Sequence, residues 1–356
     1  MRAIVLTGHG DLDKLEFHEN WPEPELGPTD ALIRVLATGM NNTDVNTRSG
    51  WYSKQVREGT TGGAQIEEGD DGTWGGVGLE FPRIQGADVC GRVEAMGSDG
   101  DTSLIGKRVL LDTWVRDWSD PTNMNKCKYF GSEVDGGYAE FTKTDYRQVH
   151  PIKSDLSDAE LATFATSYIT AENMLVQANV KAGDRVLVPG ASGGVGSALI
   201  QLAHRRGAEV IAMCGASKRT QVEALGPVAV LDREPADLSA EIKAAGWEAA
   251  SVVADVVGGP MFQPMLEVLE RGGRYTCAGA IAGPIVEFDL RTFYLNDLIF
   301  TGATIIAPGL FADLVGYIER GEVKPMLAAT YRLEDFHEGQ RAFIAKEHVG
   351  NIVVVP

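Results

Sequence analysis

The sequence predicts an α/β protein in which a doubly wound parallel sheet is inserted into a β-rich domain. Three observations lead to this prediction. Up to about residue 150, short alternating runs lie between Gly, Pro and Asp clusters, which is typical of short strands. From Asp158, helical patterns alternate with β runs, and after Pro308 the first pattern returns. The 356 residues are also too many for one ordinary core and indicate two domains.

The predicted elements follow from these patterns in chain order. The β-rich part has the strand-like runs Ala3–Leu6, Ala31–Ala37, Gly91–Met96, Arg108–Leu111 and Ala139–Thr142. The inserted part alternates helices and β runs over Ala159–Gln177, Arg185–Val188, Val195–Arg206, Val210–Met213, Ala229–Leu231, Ser251–Val256, Met261–Leu269, Gly273–Gly279 and Leu298–Ile305. A helix over Leu310–Arg320 and a strand over Asn351–Val355 close the chain. The predicted domains are therefore residues 1–152 with 307–356, and residues 153–306.

A glycine-rich turn predicts where this protein binds an anion. The apolar run Val186–Val188 precedes the turn, and a helical pattern follows it. Backbone N–H groups at a helix start have no partner within the helix, and the helix dipole favours negative charge there. The spacing A-x-G-x-x-G is similar to the pyrophosphate-binding turn of a Rossmann domain. The predicted cofactor contacts in this turn are Ala191, Ser192, Gly193, Gly194, Val195 and Gly196.

The residues after the next strand, Glu209–Met213, favour NADP(H) over NAD(H). An NAD-dependent enzyme usually has an acid here that binds the adenosine ribose. This chain has Ser217, Lys218 and Arg219 instead, and no carboxylate before Glu223. The hydroxyl can hydrogen-bond a 2′-phosphate, and the two cations can neutralise it. The alternative is a set of solvated charges, although cations at a helix start oppose its dipole and so indicate a compensating anion.

The same turn also matches G-x-S-x-G, the nucleophile elbow of serine hydrolases, with Ser192 as the nucleophile. Asp255 with His337 or His348 follows in the chain order of a hydrolase triad. No HGGG-like loop precedes the turn, and the third glycine of the dinucleotide pattern is in register. These two facts favour the cofactor interpretation. A serine hydrolase and an ordinary glycine-rich turn remain as alternatives.

The charge balance argues against several kinds of partner. With 32 basic and 50 acidic residues the net charge is −18, which disfavours binding to nucleic acid or to an anionic membrane. No apolar stretch approaches a membrane span, and no N-terminal signal is recognised. The four cysteines are widely separated and form no C-x-x-C pair. We therefore expect a cytoplasmic protein with reduced thiols, no metal site and a small-molecule substrate.

Two segments have unusual composition. Arg57–Glu80 holds eight glycines and six acids, and we interpret it either as a mobile flap over the active site or as a solvated insertion. The segment 113–134 is rich in aromatic residues, including Trp114 and Tyr129. Its aromatics indicate either a planar or apolar acceptor, or simply packing.

An ordered set of motifs extends over nearly the whole chain. It comprises Gly39-Met-Asn-Asn-Thr-Asp44 with Arg48-Ser-Gly50 and Tyr52, Gly86-Ala-Asp-Val-Cys-Gly-Arg-Val93, Asp135-Gly-Gly-Tyr-Ala-Glu-Phe141, Thr170-Ala171, the glycine turn and Gly350-Asn-Ile-Val353. With these motifs the sequence resembles the medium-chain dehydrogenase/reductase superfamily, in its zinc-independent quinone oxidoreductase-like branch. The resemblance implies a GroES-like catalytic domain, a Rossmann domain, and a homodimer joined by edge strands, here Leu298–Ile305.

The zinc enzymes of this superfamily have metal ligands where this chain has none. Asn41 stands in place of a cysteine and Ala87 in place of a histidine, and no cysteine occurs at Ala165–Tyr168. A catalytic zinc needs three protein ligands, and without it no Lewis acid stabilises an alkoxide. The resemblance therefore implies an NADPH-dependent oxidoreductase that transfers hydride to an activated acceptor. Such an acceptor is an α,β-unsaturated carbonyl, an enoyl thioester or a quinone.

The resemblance also assigns site residues. Asn41 and Tyr52 are the predicted catalytic residues and would donate hydrogen bonds to the forming oxyanion, although Tyr52 could instead be a packed loop residue. The predicted contacts at the nicotinamide end are Thr170, Ala278 and Gly279. Asp44 and Arg48 are expected to form a structural ion pair. A catalytically idle NADPH-binding protein is a third possible function.

Overall fold

The computed structural model describes residues 1–66, 72 and 78–356. They divide into two compact units. The first comprises Met1–Val56, Thr61–Thr166 and Ala307–Pro356, and the second comprises Arg57–Thr60 and Ser167–Ile306. Ten residues of the glycine- and acid-rich segment, 67–71 and 73–77, lie outside the described residues, so its role as a flap stays a prediction.

The N-terminal part of the first unit is mainly β-structure. Its strands are β1 (Ala3–Leu6), β2 (Leu15–His18), β3 (Asp30–Gly39), β4 (Asp88–Met96), β5 (Arg108–Leu111), β6 (Trp114–Val115), β7 (Lys128–Tyr129), β8 (Phe141–Asp145) and β9 (Val149–Pro151), and its helices are α1 (Asn42–Ser49) and α2 (Asp158–Leu161). Alternate residues of β3, namely Ala31, Ile33 and Val35, are buried in one core cluster. Over residues 30–36 this period of two gives β3 a single core-facing side, as the alternating sequence predicts, while residues 37–39 are all buried.

The second unit alternates helices and strands. Its elements are α3 (Ala165–Gln177, whose first two residues belong to the first unit), β10 (Arg185–Val188), α4 (Gly194–Arg205), β11 (Glu209–Cys214), α5 (Arg219–Glu223), β12 (Ala229–Asp232), α6 (Leu238–Ala244), β13 (Ala250–Asp255), α7 (Phe262–Glu267), β14 (Leu269–Cys277), α8 (Leu290–Leu295) and β15 (Ile299–Gly302). All strand pairs are parallel, in the order β12-β11-β10-β13-β14-β15. This is the Rossmann order, with its switch point between β10 and β13.

The C-terminal part returns to the first unit. It contains α9 (Leu310–Glu319), β16 (Leu327–Arg332), α10 (Phe336–Ala345) and β17 (Asn351–Val355). β17 pairs antiparallel with β3, so the last strand lies in one sheet with the N-terminal strands, in the order β16-β17-β3-β4-β5-β9. The second unit is thus inserted within the first. The predicted α/β fold class, a Rossmann sheet inserted into a GroES-like β-rich domain, is confirmed.

The segment 153–166 differs from its prediction. The single helix expected over Ala159–Gln177 is broken into α2 and α3, with residues 162–164 between them. A capping box starts α2, in which the Glu160 N–H donates to Ser157 Oγ (3.2 Å) and the Ser157 N–H donates to Glu160 Oε2 (2.8 Å). Because α2 packs against β3 and β4, this segment groups with the first unit and not with the nucleotide domain to which the sequence assigned it.

Two further observations bear on association. Among the described residues, none of the helices combines the length and apolar character that crossing a membrane requires. β15, within the predicted dimer strand Leu298–Ile305, is the edge strand of its sheet, and Ile299 on it is 53% exposed. An unpaired edge can accept a further strand, so dimerisation there stays a prediction.

Candidate functional site: a dinucleotide-binding turn and a buried acid cluster

The glycine turn joins β10 to α4 in a tight path. Gly190 has a φ of 63°, in the left-handed region. The Ala191 N–H donates to Met213 O of β11 (3.0 Å), and the Gly193 N–H donates to Gly190 O (3.0 Å). The first bond holds the turn against β11, and the second closes the turn on itself. They leave α4 to begin at Gly194, directly after it.

Two glycines of the turn have different physical roles. A Cβ on Gly196 would lie 2.3 Å from Gly190 O and 2.7 Å from Ala191 Cα, so helix and turn pack too closely for any side chain. A Cβ on Gly193 would meet only Gly190 O, at 3.5 Å, so the turn is open to a ligand on that side. No acidic side chain lies in the first turn of α4. The open face and the helix N-terminus therefore fit a dinucleotide pyrophosphate.

The cationic residues follow β11 at the same edge of the sheet. Lys218 ends a 3₁₀ turn, Ala216–Lys218, and Arg219 begins α5, while Ser217 is exposed. Neither first turn holds an acid. Burial, aided by the charge of Arg233, lowers the pKa of Lys218. The ion pair of Arg219 with Glu223 (3.8 Å) joins two half-exposed side chains, and such pairs are weak.

The turns after β13 and β14 form the other side of this edge. Asp255 ends β13 and accepts hydrogen bonds from the Val257 N–H (2.7 Å), the Gly258 N–H (3.1 Å) and the Tyr275 hydroxyl (2.6 Å). Asp255 therefore shapes the turn and has no free oxygen for a triad. The Ala278 N–H donates to the Asp255 carbonyl (3.1 Å), which fixes the start of the loop after β14.

The second unit brings most of the predicted cofactor contacts to one place. The glycine turn, Ser217–Arg219 and Ala278–Gly279 follow the carboxyl ends of β10, β11 and β14, and the carboxyl ends of parallel strands share one sheet edge. Thr170 is half-buried on α3 of the same unit. Their contacts with a cofactor stay a prediction.

In the first unit, Asn41 is tied to two buried acids. Its N–H donates to Asp44 Oδ2 (2.8 Å), and its side-chain Nδ2 donates to Asp88 Oδ2 (3.0 Å). Tyr138 donates its hydroxyl proton to Asp44 Oδ2 (2.7 Å). Both acids are almost completely buried, with 3% of Asp44 and none of Asp88 exposed. Asn41 thus positions both carboxyl groups, and its amide nitrogen carries a second N–H.

Burial controls the protonation of these acids. It raises the pKa of Asp44 to about 7, against hydrogen bonds from Tyr138 and from the Asn41 and Gly86 N–H groups. It also raises the pKa of Asp88 to about 6, against hydrogen bonds from Thr166 and Asn41. The negative charge of Asp88 adds to the shift in the pKa of Asp44.

The predicted ion pair between Asp44 and Arg48 is wrong. Arg48 is fully buried and donates to the backbone carbonyls of Gly10 (2.7 Å) and Gly62 (2.9 Å). Arg48 lies near the C-terminus of α1 and fixes two loops there, whereas Asp44 lies in the first turn and binds Tyr138. Nothing in the i, i+4 spacing distinguished these outcomes.

Tyr52 follows α1 and is half-buried. Burial raises its pKa, while hydrogen bonds with Thr43 and Asn46 act in the opposite direction. Its hydroxyl is therefore held by α1. That it faces a substrate stays a prediction.

The sequence analysis named Tyr129 only as one aromatic residue of the segment 113–134, and it did not single out Thr166. The Tyr129 hydroxyl lies 2.9 Å from Thr166 Oγ1. The Thr166 N–H donates to Asp88 Oδ1, and its side chain also hydrogen-bonds Asp88. The cluster of Asn41, Asp88, Thr166 and Tyr129 joins four segments far apart in sequence. No local spacing could have predicted it.

Two members of this cluster lie at positions where the resemblance places zinc ligands. Asn41 and Thr166, from two of those positions, both contact Asp88, and Ala87 at the third offers no donor atom. Across residues 1–66, 72 and 78–356, no three His, Cys, Asp or Glu side chains are grouped to hold a metal. The residues present therefore do not fit a catalytic zinc, which needs three ligands from Cys, His, Asp or Glu.

The serine-hydrolase alternative finds no support in the described geometry. A nucleophile elbow strains its serine, but Ser192 is not among the described non-glycine residues with positive φ, which are Asn179, Asp297 and Lys346. His204, in the last turn of α4, is the one histidine of the fully described second unit. It lies roughly 15 Å along the helix from its start. Within the second unit, Ser192 thus has no histidine beside it to act as its base.

Two domain models match the sequence. The alcohol dehydrogenase GroES-like domain matches residues 27–154, and the zinc-binding dehydrogenase domain matches residues 194–320. Acryloyl-coenzyme A reductase of Sulfurisphaera tokodaii is 26% identical to this chain, and the match covers 100% of both proteins. Quinone oxidoreductase of Rattus norvegicus is also 26% identical, over 94% of this chain and 91% of its own.

Solved structures match the whole fold. A Sinorhizobium meliloti 1021 protein, provisionally described as an alcohol dehydrogenase, is 43% identical with a TM-score of 0.92, over 100% of this chain and 96% of its own. A mycobacterial protein solved in complex with NADPH is 25% identical with a TM-score of 0.78, over 100% of both chains.

Proposed function

Because the chain belongs to the medium-chain dehydrogenase/reductase superfamily, we propose that it is a zinc-independent, NADPH-dependent reductase of activated acceptors. As a member of this superfamily it is an NAD(P)-dependent oxidoreductase. The proposed acceptors are α,β-unsaturated carbonyls, enoyl thioesters and quinones. Relatives named acryloyl-coenzyme A reductase and quinone oxidoreductase support this choice.

The observation that carries the proposal is the cluster around Asp88. Asn41 and Thr166 each donate a hydrogen bond to this carboxyl, in a place that would need three metal ligands for zinc chemistry. Without a Lewis acid to stabilise an alkoxide, the acceptor must absorb the charge of the hydride by its own conjugation. The protein then has to orient the acceptor and donate hydrogen bonds to its oxygen, for which we propose Asn41 and Tyr52.

The second unit supplies the cofactor site in this proposal. Bound NADPH supplies the hydride. The N–H groups at the start of α4 would hold its pyrophosphate beside the open face at Gly193. Ser217 and Lys218 would hold its 2′-phosphate, in a place where no acid opposes that charge in the first turn. The NADPH complex of the mycobacterial relative supports this choice of cofactor.

A substrate panel tests the function. Purified protein with NADPH would be mixed with 2-cyclohexenone, crotonyl-coenzyme A or 1,4-benzoquinone, and ethanol with NADP⁺ would be the control. We expect NADPH oxidation with at least one conjugated acceptor, no ethanol oxidation, and no effect of 1,10-phenanthroline. Turnover that depends on stoichiometric zinc would overturn the proposal. Tight NADPH binding without turnover of any acceptor would favour the idle binding protein.

Lys218→Glu tests the choice between the two dinucleotides. One charge-assisted hydrogen bond contributes about 1.5–3 kcal/mol, so we expect the Kd of NADPH to rise by roughly tenfold or more. The Kd of NADH, which has no 2′-phosphate, should change less than threefold. Lys243→Glu on α6 makes the same charge change at an exposed position and is the matched control. Equal weakening of both dinucleotides by Lys218→Glu would contradict the 2′-phosphate assignment.

A further inference from the structure

We propose that Tyr129 is the proton donor of this reductase, and that Thr166 and Asp88 form the relay that restores its proton. The inference rests on the proposed function, because it assigns the proton that must follow hydride transfer. Two of its three residues, Tyr129 and Thr166, lie outside the motifs quoted from the sequence. Three features of the first unit lead to it.

The first feature is the fixed position of the Tyr129 ring. Tyr129 lies in the two-residue strand β7, which pairs with β6. Its ring packs edge-on against Trp114, with the ring centroids 5.1 Å apart. Its N–H donates to Glu133 Oε2 (2.7 Å). A tyrosine held at both backbone and ring presents its hydroxyl in one direction, as a proton donor must.

The second feature is the continuity of hydrogen bonds from this hydroxyl to a carboxyl group. Tyr129 Oη lies 2.9 Å from Thr166 Oγ1, and the Thr166 side chain in turn hydrogen-bonds Asp88. A hydroxyl group donates once and accepts twice, so Thr166 can pass a proton in either direction. With Asp88 ionised, the protons point towards Asp88. With Asp88 protonated, they can point towards Tyr129.

The third feature is the environment of Asp88, in which burial favours the protonated form and the accepted hydrogen bonds favour the ionised form. Asp88 is fully buried, and Asn41 Nδ2 and the Thr166 N–H fix its two oxygens. Burial raises the pKa of Asp88 to about 6, and burial also raises the pKa of Tyr129 well above its usual range, so the phenol stays protonated. The other titratable groups that interact with this cluster are Asp44, Tyr52, Tyr138 and Glu133. On α2, Asp158 accepts a hydrogen bond from the Cys90 thiol of β4 and forms an ion pair with Arg108 (2.9 Å).

The proton balance of the step is as follows. Hydride adds to the β-carbon of an enone or enoyl thioester, a C–H bond forms, and the π pair moves to give an enolate. The Tyr129 O–H bond then breaks, and its proton goes to the enolate. The phenolate takes the Thr166 hydroxyl proton, and Thr166 takes the carboxyl proton of Asp88. Asp88 regains a proton from solvent between turnovers, so each turnover consumes one hydride and one solvent proton.

Tyr52 is the competing donor, and its contacts differ. Its hydroxyl hydrogen-bonds Thr43 and Asn46, an alcohol and an amide, neither of which can supply a proton near neutral pH. Tyr129, in contrast, connects through one hydroxyl to a carboxyl group. Comparison of the two phenylalanine variants therefore distinguishes them.

The test uses the full chain, NADPH and the conjugated acceptor of the panel with the highest kcat. For Tyr129→Phe we expect kcat to fall by about 100-fold with KM changed less than threefold, since general acid catalysis typically contributes at least this much. Tyr146→Phe, which removes a hydroxyl from another tyrosine of the same unit, is the matched control and should leave kcat unchanged. Thr166→Val should also lower kcat strongly, and Thr166→Ser should restore it to within threefold.

Two readouts separate a relay from a structural role. In the wild type, kcat should fall as pH rises above the pKa of Asp88, and this decline should disappear in Asp88→Asn and in Tyr129→Phe. With an enone or enoyl thioester in D₂O, the wild type should add deuterium to one face of the α-carbon. The product of Tyr129→Phe should carry deuterium on both faces.

The outcomes are distinct. Retained kcat and one-face labelling in Tyr129→Phe would overturn the inference, as would a 100-fold loss confined to Tyr52→Phe. If Tyr129→Phe unfolds, the contrast between Thr166→Val and Thr166→Ser decides the question. If the wild type reduces none of the conjugated acceptors, it is the proposed function that fails.

Discussion

Gly196→Ala is expected to abolish measurable NADPH binding and to lower the free energy of unfolding. The added Cβ would lie 2.3 Å from Gly190 O and 2.7 Å from Ala191 Cα. Both atoms belong to the backbone of the turn, so no flexible side chain can move aside. Overpacking of this kind costs roughly 1–3 kcal/mol, and here it must displace the turn that holds the start of α4. Urea unfolding and NADPH titration by tryptophan fluorescence measure the two effects.

Gly193→Ala is the matched variant, and it should separate binding from stability. Gly193 has a φ of −80° and a ψ of 171°, which alanine adopts without strain, and its Cβ would meet only Gly190 O at 3.5 Å. The free energy of unfolding should therefore change by less than about 0.5 kcal/mol. NADPH binding should still weaken by tenfold or more, because the methyl group occupies the face that the pyrophosphate approaches.

The pair of variants also tests the assignment of the turn itself. If Gly193→Ala binds NADPH as tightly as the wild type, the pyrophosphate does not approach this face. If Gly196→Ala is as stable as the wild type, the turn relaxes more easily than its backbone contacts indicate. A result in which both variants lose stability equally would mean that the two glycines share one structural role.

The Rossmann unit could be predicted because its signals are local. The apolar run at β10, the glycine turn and the periodicity of α4 lie within about twenty consecutive residues. After their first residues, the strands β10 and β11 are buried and apolar, as strands covered on both faces are. Short elements were missed. Helix α5 has five residues and strand β7 has two, which is too few for a period to be recognised.

The acid cluster could not be predicted for a different reason. Asn41 was singled out by its motif, but its hydrogen bonding depends on Asp88. Asp88 and Thr166 approach Asn41 only in the folded first unit. Asp88 lies in a quoted motif whose sequence does not reveal that the carboxyl is buried. Tyr129 was one aromatic residue among several in an irregular segment. The chemistry of such a site is created by tertiary contacts, whereas propensity and spacing report only on near neighbours.

Asp44→Asn is expected to remove a large pH dependence of stability. Burial raises the pKa of Asp44 to about 7, so the folded protein binds this proton more tightly than the unfolded chain does. The stabilising contribution is therefore complete below about pH 4 and is lost as pH rises to about 7. A shift of this size corresponds to about 4 kcal/mol. Urea unfolding at pH 5, 6, 7 and 8 should show the wild type losing stability relative to the variant.

The sign of this effect shows which of two opposing influences on the pKa of Asp44 prevails. Three hydrogen bonds, from Tyr138 and from the Asn41 and Gly86 N–H groups, favour the ionised form, while burial and the charge of Asp88 favour the protonated form. If burial prevails, the difference between wild type and Asp44→Asn grows with pH. Asp13→Asn, at an exposed position, should show no such trend. Curves for wild type and Asp44→Asn that stay parallel from pH 5 to 8 would mean that the hydrogen bonds prevail and that Asp44 is ionised throughout, in which case Asp88 titrates beside a permanent negative charge.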